Sequence, residues 1–368
     1  MRIALVVPGG VDRSGEFRVI PALLALLRRL AGVHDLHVFA LWQEPRPDTW
    51  MLEGACVHNV GAGWTGTRAV RAILREHRAT RYHLVQSIWS GHPGTVAVTA
   101  ARLMRVPCLV HVAGVELLSL PDIACGGRLH WRGRLRETLN LRGATTITAA
   151  SAPVVQSLAA LGHRAERVPL GVDLETWPSR PPRRRAQARP VQLIHVASLN
   201  PVKDQATLLR ALAALARSGV DFRMDVVGED TLGGRLQALS QGLGLESRVR
   251  FHGFLTRRQL RPLVENADVH VVSSRHETGP LVVLEAAVAG VPTVGTRVGH
   301  VAEWSPSAAV AVDVGDADAL AAAIRSLVLD EERRLQVAQQ AWWRGTAEDA
   351  DFTAARFQAL YEQATSGR

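Results

Sequence analysis

Short β-branched and apolar runs alternate along the chain with longer stretches whose apolar residues recur every three or four positions. The first kind reads as buried strands and the second as helices with one apolar face, and their alternation predicts parallel sheets covered by helices. In the first half the expected strands are Arg2–Val7, Leu36–Leu41, Leu84–Ser87, Pro107–Val112 and Thr145–Ala149. The helices between them are Val19–Leu30, Thr67–Arg78, Pro93–Met104 and Ala152–Leu161. After Pro169-Leu170-Gly171-Val172-Asp173 come Pro178, Pro181, Pro182 and Pro190 and the run Arg183-Arg184-Arg185, a composition that disfavours regular structure and marks a linker. A second series then restarts with Val191–Ala197, Gln205–Ala216, Arg223–Val227, Gly234–Leu243, Arg248–Phe251, Arg258–Glu265, Val269–Ser273, Pro280–Ala289, Thr293–Gly295 and Asp318–Leu327. Phe352, Ala355, Phe357, Ala359, Leu360 and Tyr361 place a last helix over 351–363. The pattern therefore predicts two Rossmann-like α/β/α domains, 1–174 and 191–346, with a Pro/Arg-rich linker over 175–190 and a terminal helical segment over 347–368.

Composition changes this picture little: 368 residues, 47% of them hydrophobic, suffice for two domains with separate cores. The apolar run Ile3–Pro8 is too short for a signal peptide, and no stretch approaches the roughly 18 uninterrupted apolar residues of a membrane span. Cys56, Cys108 and Cys125 form neither a disulfide framework nor a zinc spacing, so a reducing, cytoplasmic setting is expected. Cys108 reads as a buried small hydrophobe. The net charge of +9 divides as +8 over 1–174, +4 over 175–190 and −3 over 191–368. The basic helices Arg68–Arg81 and Arg128–Arg142 either form solvated faces or meet an anionic acceptor or the inner face of a membrane. Nucleic acid is not expected as a partner, because a single-strand platform interleaves several aromatics with its basic residues and Trp131 is almost alone.

The chemistry concentrates in Ser273-Ser274-Arg275-His276-Glu277-Thr278-Gly279-Pro280-Leu281-Val282-Val283-Leu284-Glu285. A strand ends near Ser273 and a helix begins near Pro280, so the N–H groups of Leu281, Val282 and Val283 are expected to point from the helix N-terminus, where they and the dipole hold a phosphate. Gly279 allows close approach. Glu277 and Glu285 both border that terminus, and carboxylates accept hydrogen bonds from neighbouring sugar hydroxyls. The competing structural reading makes Glu277 a helix cap and Glu285 one arm of a surface ion pair. At the corresponding turn of the first strand in this domain stands Asn200-Pro201-Val202-Lys203-Asp204, and Lys203 is the only lysine in the chain. Its compact ammonium suits a pyrophosphate. No G-x-S-x-G elbow, H-E-x-x-H or other metal spacing occurs, and Gly9-Gly10 does not complete a dinucleotide fingerprint.

Over residues 140–305 these elements resemble, in order, the retaining glycosyltransferases of family four, which have the GT-B fold. The resemblance rests on the E-x(7)-E pair Glu277/Glu285, the Lys203 turn, the Pro169–Asp173 element, Val226-Val227-Gly228-Glu229-Asp230 and Val249-Arg250-Phe251-His252-Gly253. It implies a UDP- or GDP-sugar donor, no obligatory metal or other cofactor, and an acceptor hydroxyl. It also implies that Glu277 holds the donor sugar, Lys203 and Gly279–Val282 (with Pro280 and Leu281) the pyrophosphate, Glu285 the ribose and the Phe251–Gly253 backbone the base. Gly9 and Gly10 resemble the glycine turn that faces the donor across the cleft, and the last helix is expected to cross back onto the first domain.

Two departures stand out: Ser198 occupies the position of a family arginine, and Ala113 that of a family histidine, with His111 two residues earlier. Acceptor-side candidates are Asp12, Arg13, Glu16, His92, His111 and Glu116, each also readable as a loop or capping residue. The alternatives to sugar transfer are a non-catalytic nucleotide-sugar-binding partner protein and a nucleotide-sugar hydrolase or epimerase.

Overall fold

A computed structural model describes residues 1–185 and 189–366, so 186–188 of the expected linker and 367–368 lie outside the described residues. The chain divides into two compact units, Met1–Asp173 with Ala350–Arg368, and Leu174–Asp349.

The strands of the first unit are β1 Arg2–Val7, β2 Asp35–Ala40, β3 Asp48–Leu52, β4 Ala55–Asn59, β5 Leu84–Ile88, β6 Cys108–Val112, β7 Thr146–Ala149 and β8 Glu166–Arg167. Its helices are α1 Pro21–Ala31, α2 Thr65–Ala79, α3 His92–Met104, α4 Trp131–Gly143 and α5 Ala152–Ala160. The sheet order is β3-β4-β2-β1-β5-β6-β7-β8, parallel except for the antiparallel β3–β4 pair. All six residues of β1 are buried, as a central strand covered on both faces requires. The β3–β4 hairpin lies outside the expected strands. Its register is set by the Glu53-Gly54 turn, where both residues have positive φ, and edge strand β3 is too exposed to leave an apolar run in the sequence.

The second unit holds β9 Val191–Val196, β10 Phe222–Val227, β11 Val249–Gly253, β12 Val269–Val272, β13 Thr293–Thr296 and β14 Ala309–Val312. Around them lie α6 Gln205–Arg217, α7 Arg235–Gly242, α8 Arg257–Asn266, α9 Leu281–Val288, α10 Gly299–Trp304, α11 Ala317–Leu329 and α12 Glu331–Ala347. Its sheet is wholly parallel in the order β11-β10-β9-β12-β13-β14. The core is built from Leu193, Leu208, Leu212, Phe222, Met224, Val269 and Val271 with the inner faces of α6 and α11. Residues 175–185 carry neither helix nor strand, yet they are fastened to this unit. Arg180 pairs with Glu265 at 3.1 Å, Arg185 N–H donates to Glu331 at 2.7 Å, and Trp177 is fully buried.

The last helix, α13 Ala350–Ser366, returns to the first unit and packs on α1. Thr353 Oγ1 donates to Pro169 O (2.7 Å) and accepts from Gly171 N–H (2.9 Å), Arg29 pairs with Asp351, and the Tyr361 hydroxyl bonds Gln86. The Pro169–Asp173 element thus anchors the start of α13.

Candidate functional site

In the second unit the chain runs from β9 outward to β10 and β11, then returns to place β12 on the other side of β9. The loops after β9 and β12 therefore diverge at the topological switch point, where a parallel sheet opens a crevice beyond its strand ends. The Lys203 turn follows β9, and the segment from Ser273 to Pro280 follows β12.

Each loop is shaped locally before the two meet. Asn200 Oδ1 accepts from Val202 and Lys203 N–H at 3.0 and 3.2 Å, an Asx turn that directs the lysine. Asp204, at φ +45°, caps α6 by accepting from Thr207 N–H and Oγ1. His195 is fully buried beneath the turn, with Nδ1 2.9 Å from Val271 O and Nε2 3.2 Å from Gln205. Burial pushes its pKa down to about 4, so the neutral ring donates through Nδ1 and accepts through Nε2. Gln205 also donates to Ser198 O, which bends the chain out of β9 and leaves Ser198 exposed at the rim.

The two loops are then stitched together. Arg275 N–H donates to Val202 O at 2.7 Å, and Ser273 Oγ to Lys203 O at 2.8 Å. Lys203 Nζ and Ser274 Oγ both donate to Glu277 Oε1 at 2.6 Å. Gly299, at φ +47°, lets α10 close on this loop, since a Cβ there would lie 2.8 Å from Pro280 Cδ. The helix α9 has no side-chain cap, so Glu277 is not a capping carboxylate. Pro280 is extended (ψ 115°) and sits one residue before the helix, not in its first turn. Val283 N–H donates back to Pro280 O, which corrects the expected trio of outward donors to Leu281 and Val282. Glu285, half-buried in α9, forms no ion pair among the described residues. Its burial pushes the carboxyl up to about 7, offset in part by the positive charge of Arg257.

Beyond β10, Gly228 approaches so closely that a Cβ would lie 2.0 Å from Ala197 O, and its N–H donates to Gly253 O at 2.9 Å. Asp230 accepts from Leu232 and Gly234 N–H, and these bonds hold its carboxyl below the usual range. Phe251, His252 and Gly253 end the edge strand β11. His252 Nε2 lies 2.6 Å from Asp225 on β10, and the part-buried Phe251 ring packs against the core.

The first unit has its own switch point, between β1 and β5. Gly10, at φ +81°, packs so tightly on Ile20 that a Cβ would lie 2.6 Å from Cδ1. The N–H groups of Gly10 and Val11 donate to Gln43 Oε1 at 2.8 and 3.0 Å, with Gly9 alongside. Asp12 caps this turn, accepting from Ser14 N–H and Gln43 Nε2. Arg13 is exposed, pairs with Glu44 and Asp48 and lies over Trp50 on β3. Glu16 is exposed, and His92, at the start of α3, lines an open hollow with Trp42, Trp64 and Gly66.

His111 and Glu116 are also corrected. His111 is fully buried, bonded to Thr148 at 2.9 Å and edge-on to Phe357; its pKa falls to about 3 and it faces no solvent. Glu116 is buried and accepts from Ser90 N–H (3.0 Å) and Gly114 N–H (2.7 Å), holding the turn that precedes α3. Burial, with the neighbouring Glu137 adding to it, pushes its carboxyl up to about 7.

Residues that sequence reasoning passed over are Ser274, Asn200, Gln205, Gln43 and Gly299. Asn200-Pro201 was legible as a turn signal, whereas the partners of Ser274 and Gln43 depend on chain segments brought together by the sheet. His37, Cys56 and His58 form a cluster of metal-type donors among the described residues, but they lie on β2 and β4 and two of them bond each other at 2.8 Å.

Two family models match in tandem: the "Glycosyl transferase 4-like domain" over residues 14–171 and "Glycosyl transferases group 1" over residues 180–342. The chain is 36% identical over 174 residues to the GDP-mannose-dependent alpha-(1-6)-phosphatidylinositol dimannoside mannosyltransferase of Mycobacterium tuberculosis, an alignment covering 45% of this chain and 44% of that protein. The chain thus spans under half the length of that curated relative. Among solved structures, the sucrose-phosphate synthase of Thermosynechococcus elongatus superposes over 100% of both chains with a TM-score of 0.84 at 19% identity. Anabaena HepE, solved with UDP and glucose, superposes with a TM-score of 0.75 at 18% identity, covering 99% of this chain and 100% of its own. The fold is that of the GT-B enzymes, and the chain belongs to the family-four glycosyltransferases.

Proposed function

We propose that the protein transfers a hexose-type sugar from a UDP- or GDP-sugar to an acceptor hydroxyl with retention of anomeric configuration. The observation that carries the reading is the Lys203–Glu277 contact of 2.6 Å, which joins the two loops at the switch point beside the N-terminus of α9. A diphosphate seated there meets the Lys203 ammonium and the N–H groups of Leu281 and Val282. Glu277, relieved of the lysine, accepts hydrogen bonds from the sugar and stays positioned by Ser274. Glu285 receives the ribose hydroxyls, and the Gly253 turn lies toward the base. As the bond between the anomeric carbon and the phosphate oxygen breaks, the charge that grows on the diphosphate is stabilised by groups already in place. The acceptor oxygen bonds to the anomeric carbon, and its proton passes to the departing phosphate on the same face. This scheme asks for no metal.

Support for the donor class comes from the relative that uses GDP-mannose and from neighbours solved with UDP and UDP-glucose. On the acceptor side, the +8 charge of residues 1–174 favours an anionic or lipid-linked molecule. Gly9, Gly10, Asp12, Glu16 and His92 are the groups that the first unit offers near its strand ends.

The test is a thermal-shift screen of the wild type and Lys203→Ala against UDP, GDP, ADP, TDP and their common sugars. Stabilisation by one nucleotide family that the variant loses supports the reading and names the base. A folded protein stabilised by none of them refutes it. Tight donor binding with no turnover and no hydrolysis, whatever the acceptor, would leave a binding protein instead.

A further inference from the structure

Helix α4 buries two polar side chains alongside Leu141. Its polar Glu137 and Asn140 are buried, where Glu137 accepts from Ser90 Oγ and Asn140 Nδ2 donates to Ser90 O and Gly91 O at 2.5 and 2.8 Å. Trp131, Leu135 and Leu139, spaced by four and so aligned on one face, are instead 62%, 51% and 54% exposed. An isolated exposed leucine needs no explanation, but an unbroken stripe of three large apolar side chains along one helix does.

The exposed charges of the helix itself are of one sign. Arg132, Arg134 and Arg142 are exposed on the same helix, Arg128 and Arg136 are half-buried beside it, and its single acid, Glu137, faces inward. The Arg132 guanidinium lies over the Trp131 ring at 5.4 Å, leaving the indole at the boundary between apolar and charged surface. The other basic helix, α2, differs. It buries Ala69 and Ile73 and turns Arg68, Arg71 and Arg75 to solvent with no accompanying apolar stripe. A solvated charge accounts for α2 but not for α4.

We infer that α4 lies in the interface of an anionic lipid bilayer, with Trp131, Leu135 and Leu139 in the acyl boundary and the arginines among the headgroups. The exposed apolar side chains give depth and the guanidiniums, whose stems can lie along the apolar boundary, give preference for negative lipid. No helix among the described residues is long and apolar enough to cross a membrane, so this contact is peripheral. The inference deepens the proposed function by naming where a lipid-linked acceptor is met. It is tested without donor or turnover, so its failure and that of the transferase reading are separable.

The experiment is flotation of the full chain with vesicles of phosphatidylcholine alone, or with about a third phosphatidylglycerol, at low and high salt. The wild type is expected to float with the anionic vesicles at low salt and to be released by high salt. Leu135→Gln with Leu139→Gln should lower the partition coefficient by about tenfold or more, and Arg132→Gln with Arg134→Gln by about fivefold per arginine. Removing two charges from α2, Arg71→Gln with Arg75→Gln, should change it by less than about twofold. All these side chains are exposed, and unchanged melting temperatures establish that each variant is folded. Three results overturn the inference: no binding of the wild type to anionic vesicles, binding that the α4 variants leave intact, or a dimer in solution that the leucine variants dissociate.

Discussion

Replacing Lys203 by alanine perturbs one bond whose geometry is known and whose two roles separate. In the free protein its Nζ lies 2.6 Å from Glu277 Oε1, with the two side chains 25% and 13% exposed. Such a partly screened pair contributes at most about 1 kcal/mol to the fold, and Ser274 still donates to Glu277 when the lysine is gone. The melting temperature of Lys203→Ala should therefore stay within a few degrees of the wild type. On the proposed function, the ammonium passes to the diphosphate when the donor binds. A charge-assisted hydrogen bond of about 1.5–3 kcal/mol is then lost, which weakens nucleoside diphosphate binding by roughly 10- to 150-fold. In the transition state the leaving group carries more charge, so turnover should fall by about a further 10²- to 10³-fold. Titration calorimetry with the nucleotide that stabilises the wild type measures the first effect, and release of nucleoside diphosphate from the intact donor measures the second. Glu277→Gln is the control: it keeps the acceptor oxygen for Ser274 and the sugar but frees Lys203, so nucleotide binding should persist while turnover falls. A Lys203→Ala protein that binds nucleoside diphosphate as tightly as the wild type would refute the assignment of the β9 and β12 loops as the diphosphate site.

Glu285 carries a pH signature: its free carboxyl sits near 7, and ribose hydroxyls bind the ionised form, so affinity for intact nucleotide-sugar should fall by up to about tenfold per unit as pH drops below 7. Glu285→Gln should flatten that profile, and a wild-type profile already flat would remove Glu285 from the ribose. The same raised pKa means that ionisation costs stability as pH rises from about 4.5 to 7, so Glu285→Gln without ligand should melt higher than the wild type at pH 8 but not at pH 4. Gly228→Ala forces a Cβ against Ala197 O at φ +151°, and at least about 2–3 kcal/mol should be lost from the second unit in urea unfolding. Thr353→Val unpairs Pro169 O and Gly171 N–H beneath α13 and should cost about 1–3 kcal/mol, read as a lower melting temperature and faster proteolysis of residues 350–366; an unchanged protein would mean that these two bonds add nothing to the docking of α13.

The alternating pattern of runs determined most of this protein before any packing was considered. Strands with continuous apolar sequence, such as the Ile3–Val7 run of β1, were legible because a central parallel strand is covered on both faces. The Lys203 turn and the Glu277/Glu285 pair were legible because the chain's one lysine and two carboxylates eight positions apart stand out beside strand ends and a helix start. The edge strand β3 was not, since a half-exposed edge has no distinctive periodicity. Tertiary structure alone decided that Lys203 and Glu277, 74 positions apart in sequence, meet. Their meeting follows from the reversal that sets β12 beside β9. It also decided that His111 and Glu116, which look like site residues, are interior: one faces the underside of α13, and the other holds a turn whose N–H groups need an acceptor. For α4 the sequence predicted a basic helix over Arg128–Arg142 but not which of its faces is buried: the backbone and hydroxyl groups at Ser90 and Gly91 need Glu137 and Asn140, and satisfying those buried polar groups turns Trp131, Leu135 and Leu139 outward.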